Sequence, residues 1–175
     1  MAVHRLQIAS NKKVSQIKNQ KRDIAKLLAE LPNPKEEKAR IRAEALIRED
    51  STVEAYEILQ LNCELLAERI KLVASEKECP SDLKSVVTTL IWASARVDIA
   101  ELVEVRKQLR SKYGKKFEEE CLSNTNESVN QRVYAKLSIQ PPPALLVQTY
   151  LERIAEEFEV SQIIPLFELL YFCNF

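Results

Sequence analysis

Apolar residues recur along this chain at helical spacing almost from end to end. In the first stretch Val14, Ile17, Ile24, Leu28 and Leu31 draw one narrow stripe, so the spacing predicts a helix over about Val3–Leu31 packed on a single partner. Pro32-Asn33-Pro34 breaks it. Asn33 suits the N-cap, Pro34 the first helical position, and Glu36 follows three residues after the cap. No Gly or Pro then occurs until Pro80, which predicts a second helix from Pro34 to about Ser75, about 60 Å long. So short a connection folds the two helices back as an antiparallel hairpin.

The second helix changes character midway. Before Tyr56 apolar residues are sparse. Beyond it lie two stripes, Leu59-Cys63-Leu66-Ile70-Val73 and Ile58-Leu61-Leu65-Leu72, the pattern of a helix buried on two sides. Shorter helices follow. One runs from Ser81 to about Ser94 and one from about Asp98 to Leu122, weakened in its middle by Gly114. One of about eleven residues includes Val133 and Leu137, and a last one runs from Ala144 to Phe158 after the stiff Pro141-Pro142-Pro143 spacer. Trp92, Tyr134 and Tyr150 fall among aliphatics at helical spacing and are expected in the core. The segment 161–175 is apolar but too short to span a bilayer. It can dock on the bundle, mediate association or touch a membrane interface.

Composition narrows the functional classes. A single glycine, Gly114, leaves no phosphate-cradling loop. One histidine, His4, and four cysteines without a CxxC pair give no metal-ligand spacing, so no cofactor is expected. Free thiols in a reducing compartment are the default for Cys63, Cys79, Cys121 and Cys173. Nothing pairs a nucleophile with a base, so the chain reads as non-enzymatic. The zero net charge conceals an asymmetry: residues 1–48 hold twelve Lys and Arg against five Asp and Glu, and the remainder is acidic to the same extent. A basic arm of this kind faces a negative membrane, a negative partner, the acidic half of another copy, or only solvent. Without interleaved aromatics it does not read as a nucleic-acid binder.

Several segments, in order, resemble one family. They are Lys38-Ala-Arg-Ile-Arg-Ala-Glu-Ala-Leu-Ile-Arg-Glu-Asp50, continuing as Val53-Glu-Ala-Tyr-Glu-Ile-Leu-Gln-Leu-Asn-Cys-Glu-Leu-Leu-Ala67, then Thr89-Leu-Ile-Trp-Ala93, Gln108-Leu-Arg-Ser-Lys-Tyr113, Val129-Asn-Gln-Arg-Val133, Lys136-Leu137 and Tyr150-Leu-Glu-Arg-Ile-Ala155. Together they resemble the increased-sodium-tolerance family of ESCRT-III-like proteins over about His4–Val160. The resemblance implies an all-α ESCRT-III-like core over 1–160, a long antiparallel hairpin with shorter helices near one end, and 161–175 as a separate tail. It implies binding to a CHMP-type ESCRT-III subunit, copolymerisation on membrane tubules, modulation of the MIT-domain AAA ATPase, and a cytoplasmic location, peripheral on endosomal membranes. The alternative is a soluble adaptor that binds an ESCRT-III partner helix without polymerising.

The chain departs from the family pattern in four places. Its first helix starts several turns late, and the hairpin turn carries extra residues. Ser94-Ala95 stands where a proline is expected, and the MIT-interacting motifs do not follow Val160. Contact with the ATPase is therefore expected to be indirect.

Three sets of residues are candidate sites. Lys12, Lys13, Lys18, Lys21, Arg22 and Lys26 form a basic face for anionic lipid or an acidic subunit, or a solvated face. Arg40, Arg42, Arg48, Glu49 and Asp50 form ion pairs between subunits or i,i+4 pairs within the helix. Glu118, Glu119 and Glu120 form an acidic patch for a basic partner, including another copy, or a plain solvated surface. A groove between the second helix and the later ones is expected to accept an amphipathic helix, with no residues assigned to it.

Overall fold

The computed structural model describes residues 1–30, 34–138 and 140–160. The expected cap at Asn33, the thiol of Cys173 and the apolar segment 161–175 lie outside them. The described residues form eight α-helices and no strand: α1 Ala2–Leu28, α2 Glu36–Glu68, α3 Ile70–Ser75, α4 Lys84–Ala93, α5 Ala100–Tyr113, α6 Lys115–Ser123, α7 Gln131–Leu137 and α8 Ala144–Glu157. They divide into two compact units, one built from residues 1–12 and 51–138, the other from residues 13–50 with the chain beyond 139.

In the first unit one apolar cluster joins Leu6 of α1, Tyr56, Leu59, Cys63 and Leu66 of α2, Val73 of α3, and the later helices through Leu102, Leu109, Cys121 and Val133. Its centre is α4. Val87 through Ala93 are all buried, as a helix without a polar face requires. A polar thread ties α4 to α7. The Thr89 hydroxyl donates to the Ser85 carbonyl and accepts the Asn130 backbone N–H at 2.9 Å. Asn130 then caps α7, its side chain accepting from the N–H groups of Arg132 and Val133. Trp92 is buried, with Tyr134 stacked against it at 5.1 Å and the Arg96 guanidinium 3.7 Å over its ring. Tyr134 itself is 46% exposed, so it caps the core from outside, where the sequence placed it within.

Two expected continuous helices are broken. The second ends at Glu68 and resumes at Ile70, with Arg69 at φ −96 and ψ 12 between them. Of the stripe Leu59-Cys63-Leu66-Ile70-Val73, Ile70 alone leaves the core and is 54% exposed. The second stripe is not fully covered either: Ile58 and Leu72 pack against the cluster, but Leu61 is 63% exposed. The other break is at Gly114, whose φ of +91 and ψ of 166 no L side chain adopts comfortably. An ordinary helical weakening there becomes a sharp corner between α5 and α6. Gly114→Ala is expected to cost about 1–3 kcal/mol in urea unfolding, although an added Cβ would meet nothing within 4 Å. The conformation, not the space, sets the penalty.

In the second unit, Gln20 meets Glu49 and Leu27 meets Lys35, so the parts of α1 and α2 within it run antiparallel. Ile17, Ile24, Leu28, Ala39, Ala43 and Leu46 fill the seam. The small Ala39 and Ala43, both fully buried, admit close helix approach. α8 begins directly after the prolines, which cannot donate into a ladder, and buries Val147, Leu151, Ile154 and Ala155.

Candidate functional site: an apolar groove and two charged helix faces

An open groove of about 610 Å³ runs over the first unit. Its walls come from three separated stretches. The start of the chain gives Met1, Ala2 and Val3. The end of α2 and the start of α3 give Cys63, Leu66, Ala67, Ile70 and Val73. The edge of α5 gives Glu101, Glu104, Val105, Gln108 and Leu109. The break at Arg69 matters here, because it turns Ile70 out of the buried stripe and into the groove wall. The floor is almost wholly aliphatic, which suits apolar side chains from an amphipathic helix. Polar side chains lie along α5, and the Met1 amino group adds a positive charge that acts on Glu101 and Cys63. The Arg5 guanidinium donates to Glu101 at 2.8 Å, and this bond holds the Glu101 carboxyl below the usual carboxylate range. Glu104 accepts from the Gln108 amide at 3.0 Å, which lowers it likewise.

Cys63 lies in the wall, and burial pushes its thiol up to about 11; Cys79 is also raised to about 11, by burial first. At pH 8 only about one thousandth of such a thiol is thiolate. Alkylation of Cys63 is therefore expected to be slow at pH 8 and to rise roughly tenfold per pH unit toward pH 11. Mass spectrometry after timed iodoacetamide treatment checks this. The same shift contributes stability that is complete below about pH 9 and lost as pH rises through about 11, because the unfolded thiol gives up its proton first.

The basic residues of α1 are dispersed around the helix. At 100° per residue Lys18, Arg22 and Lys26 share one exposed edge with Lys12, whereas Lys13 and Lys21 sit on the flanks. Lys21 is used within the unit, donating to Glu157 of α8 at 3.0 Å, and Lys26 pairs with Asp23 one turn away.

The charged run of α2 also finds partners within the second unit. Arg40 donates to the Gln148 side-chain carbonyl at 2.8 Å, and Gln148, buried in α8, passes the bond on to Glu152. Asp50 accepts from the Tyr150 hydroxyl, and Glu49 from the Gln20 amide. Arg48 is exposed, and Arg42 is exposed on a cleft of about 300 Å³ beside Gln20, Asp23 and Ala45. Arg40 and Asp50 thus hold α8 in place, and Arg42 and Arg48 are exposed.

The acidic triplet divides. Glu118 is buried and braced between Arg106 at 3.2 Å and Arg110 at 3.4 Å, which corrects its expected place on a surface patch. The corner at Gly114 causes this, by folding α6 back so that Glu118 faces α5. Glu119 is exposed and pairs with Lys115, and Glu120 is half-buried. Among the described residues no group of His, Cys, Asp or Glu side chains can hold a metal ion. No helix among them is long and apolar enough to cross a membrane.

Comparison with known proteins gives one consistent answer. The chain is 40% identical over 162 residues to an IST1-like protein of Dictyostelium discoideum, covering 92% of this chain and 43% of that one. It is 31% identical over 169 residues to vacuolar protein sorting-associated protein IST1 of Saccharomyces cerevisiae, covering 91% and 55%. The chain thus spans about half the length of these relatives. Among solved structures, the S. cerevisiae Ist1 N-terminal domain in complex with a Did2 MIM motif superposes with a TM-score of 0.84 at 28% identity, over 93% of this chain and 89% of that one. The family model described as Ist1, regulator of Vps4 activity in the MVB pathway, matches residues 1–161, so with its helices in the arrangement of that solved relative the chain belongs to the Ist1 family.

Proposed function

We propose that this chain is a non-enzymatic regulator of ESCRT-III assembly that binds a helical MIM-type motif of a CHMP-type subunit. Residues 1–160 serve as its ESCRT-III-like core. The observation that carries the reading is the apolar groove of the first unit, in a chain whose solved relative is a complex with a Did2 MIM motif. The groove supplies an apolar floor for one stripe of a partner helix, and the flanking Glu101, Glu104 and Gln108 supply polar contacts at its edge.

The second part of the proposal concerns the membrane. Lys12, Lys18, Arg22 and Lys26 make the outer edge of α1 the lipid-facing side, each worth about 1 kcal/mol near an anionic surface. Arg42 and Arg48, with Glu119 and Glu120, supply charges for contacts between subunits, including copies of this chain. The site of action is cytoplasmic and peripheral on endosomal membranes, in keeping with the family's part in the MVB pathway. The Vps4-type ATPase is regulated through the subunit that this chain holds.

The test is to mix the purified chain with a CHMP-type subunit and anionic liposomes and to image by negative-stain electron microscopy at low and high salt. Coated tubules that need both proteins and vanish at high salt support the whole proposal. A soluble one-to-one complex without filaments supports the adaptor form. Neither complex nor filament contradicts both.

A further inference from the structure

We infer that copies of this chain join through two different faces of α2. In the first unit Leu61 and Leu65 with Glu57, Glu64 and Glu68 form one face; in the second unit of the next copy Ile41 and Ala45 with Lys38 and Arg42 form the other. The inference rests on the subunit-contact part of the proposed function and names the two surfaces that meet.

Each face is read within its own unit. Leu61 and Leu65 are one helical turn apart, 63% and 36% exposed, and Ile58 continues their stripe. At 100° per residue Glu57, Glu64 and Glu68 line one flank of that stripe. None of the three forms an ion pair among the described residues, and Glu64 accepts only the Gln60 amide, at 3.0 Å. Glu54, at the end of the stripe, is already neutralised by Lys136 at 2.7 Å. The nearest cations along the chain, Arg69 and Lys71, are exposed and pair with none of the row. In the second unit Ile41 is 67% exposed, and Ala45 is exposed one turn on. Lys38 and Arg42 flank them, both exposed and without an ion pair among the described residues. Asp23, which shares a cleft with Arg42, is taken up by Lys26 at 3.3 Å.

The order of the flanks around the helix decides how the faces meet. Going clockwise as seen from the helix N-terminus, the acidic flank comes before Leu61 and Leu65, whereas the basic flank comes after Ile41 and Ala45. Two segments packed side by side and parallel set the leading flank of one against the trailing flank of the other. The acidic row then faces Lys38 and Arg42, with the leucines on Ile41 and Ala45. The opposite flanks bring Asn62 to Glu37 and Glu44, so no like charges meet there. Antiparallel packing would instead set Glu57 and Glu64 against Glu37 and Glu44. The parallel contact is heterologous: a copy that gives its second-unit face keeps its first-unit face for the next, and growth does not stop at a dimer.

Charge and apolarity exclude the other occupants of the acidic face. An anionic bilayer is repelled by Glu57, Glu64 and Glu68. The basic edge of α1 in another copy has the right sign, but Ser15 and Asn19 interleave its cations and give the leucines no apolar surface. The segment 161–175 is apolar but carries no Lys or Arg. The face around Ile41 supplies both requirements and leaves the edge of α1 to lipid.

The test is small-angle X-ray scattering from the whole chain over a concentration series at low salt, reading mass. A contact of so few apolar side chains is small, so association is weak. The mass is expected to climb past that of a dimer toward millimolar concentration. Glu57→Lys with Glu64→Lys, or Lys38→Glu with Arg42→Glu, should each weaken association about tenfold, since exposed pairs turn from attraction to repulsion. Mixing these two variants should restore it, because the two reversed faces suit each other. Leu61→Ser with Leu65→Ser keeps every charge, should weaken association as well, and keeps the test decisive if circular dichroism shows that a charge variant misfolds. Growth that stops at a dimer, or a mixture no better than its components, would overturn the inference. Loss of association on Glu119→Lys with Glu120→Lys but not on Glu57→Lys with Glu64→Lys would overturn it and leave the subunit-contact reading standing. A parent chain that stays monomeric throughout would overturn both.

Discussion

Replacing Ile70 and Val105 by aspartate should weaken binding of a CHMP-type helix by roughly 150-fold while leaving the fold intact. The two side chains lie on opposite walls of the groove, and a partner's apolar stripe must contact both. Each such burial is worth about 1.5–3 kcal/mol. Losing two at the lower end is about 3 kcal/mol, or roughly 150-fold in affinity. The fold tolerates the change because Ile70 is already 54% exposed and Val105 only half-buried. Isothermal titration with a C-terminal helical peptide of a CHMP-type subunit measures the loss, and thermal denaturation should move by only a few degrees. A melting temperature that collapses instead would show that Ile70 and Val105 belong to the core.

The second large effect is expected at the membrane. Changing Lys18, Arg22 and Lys26 to glutamate should reduce co-sedimentation with phosphatidylserine vesicles by about two orders of magnitude at low salt, since each removed cation is worth about 1 kcal/mol there. The difference between the variant and the parent chain should shrink as salt shortens the screening length to a few ångströms near 1 M. Groove binding should be unchanged in this variant, because none of the three residues lines the groove. Equal sedimentation of parent and variant at low salt would assign the basic edge to solvent. These two predictions are independent, so one variant isolates the protein partner and the other isolates the lipid.

Much of the architecture is legible in the sequence, for identifiable reasons. Pro80, Pro141-Pro142-Pro143 and the apolar spacing place α4 and α8 to within a few residues, because proline leaves a helix no alternative. The break at Arg69 has no such signal: arginine favours helix, and the interruption arises in the tertiary packing. Gly114 was visible, yet only the φ of +91 distinguishes a corner from a weak turn. That distinction carries through to Glu118, which a straight helix would hold two turns from Arg110 and which the corner places beside it.

The site was less legible than the fold, because a sequence shows charges and does not show their partners. Arg40 meets Gln148 across 108 residues, Asp50 meets Tyr150 across 100, and Lys21 meets Glu157 across 136. No local rule links such pairs, and on a helical wheel each looks like a free surface charge. The groove is harder still. Ala2, Ile70 and Val105 belong to three different helices, and each alone is an ordinary apolar residue. By contrast, the exposure of Lys12, Lys18, Arg22 and Lys26 follows from periodicity, because they lie opposite the apolar stripe of α1.

The most direct test of the central claim is hydrogen exchange measured by mass spectrometry, with and without a saturating C-terminal helix of a CHMP-type subunit. Binding in the groove predicts added protection confined to the first turns of α1, residues 63–73 at the α2–α3 break, and residues 101–109 of α5, with α8 unchanged. Protection confined to α8 and the second unit, or no protection under saturating peptide, would contradict the account.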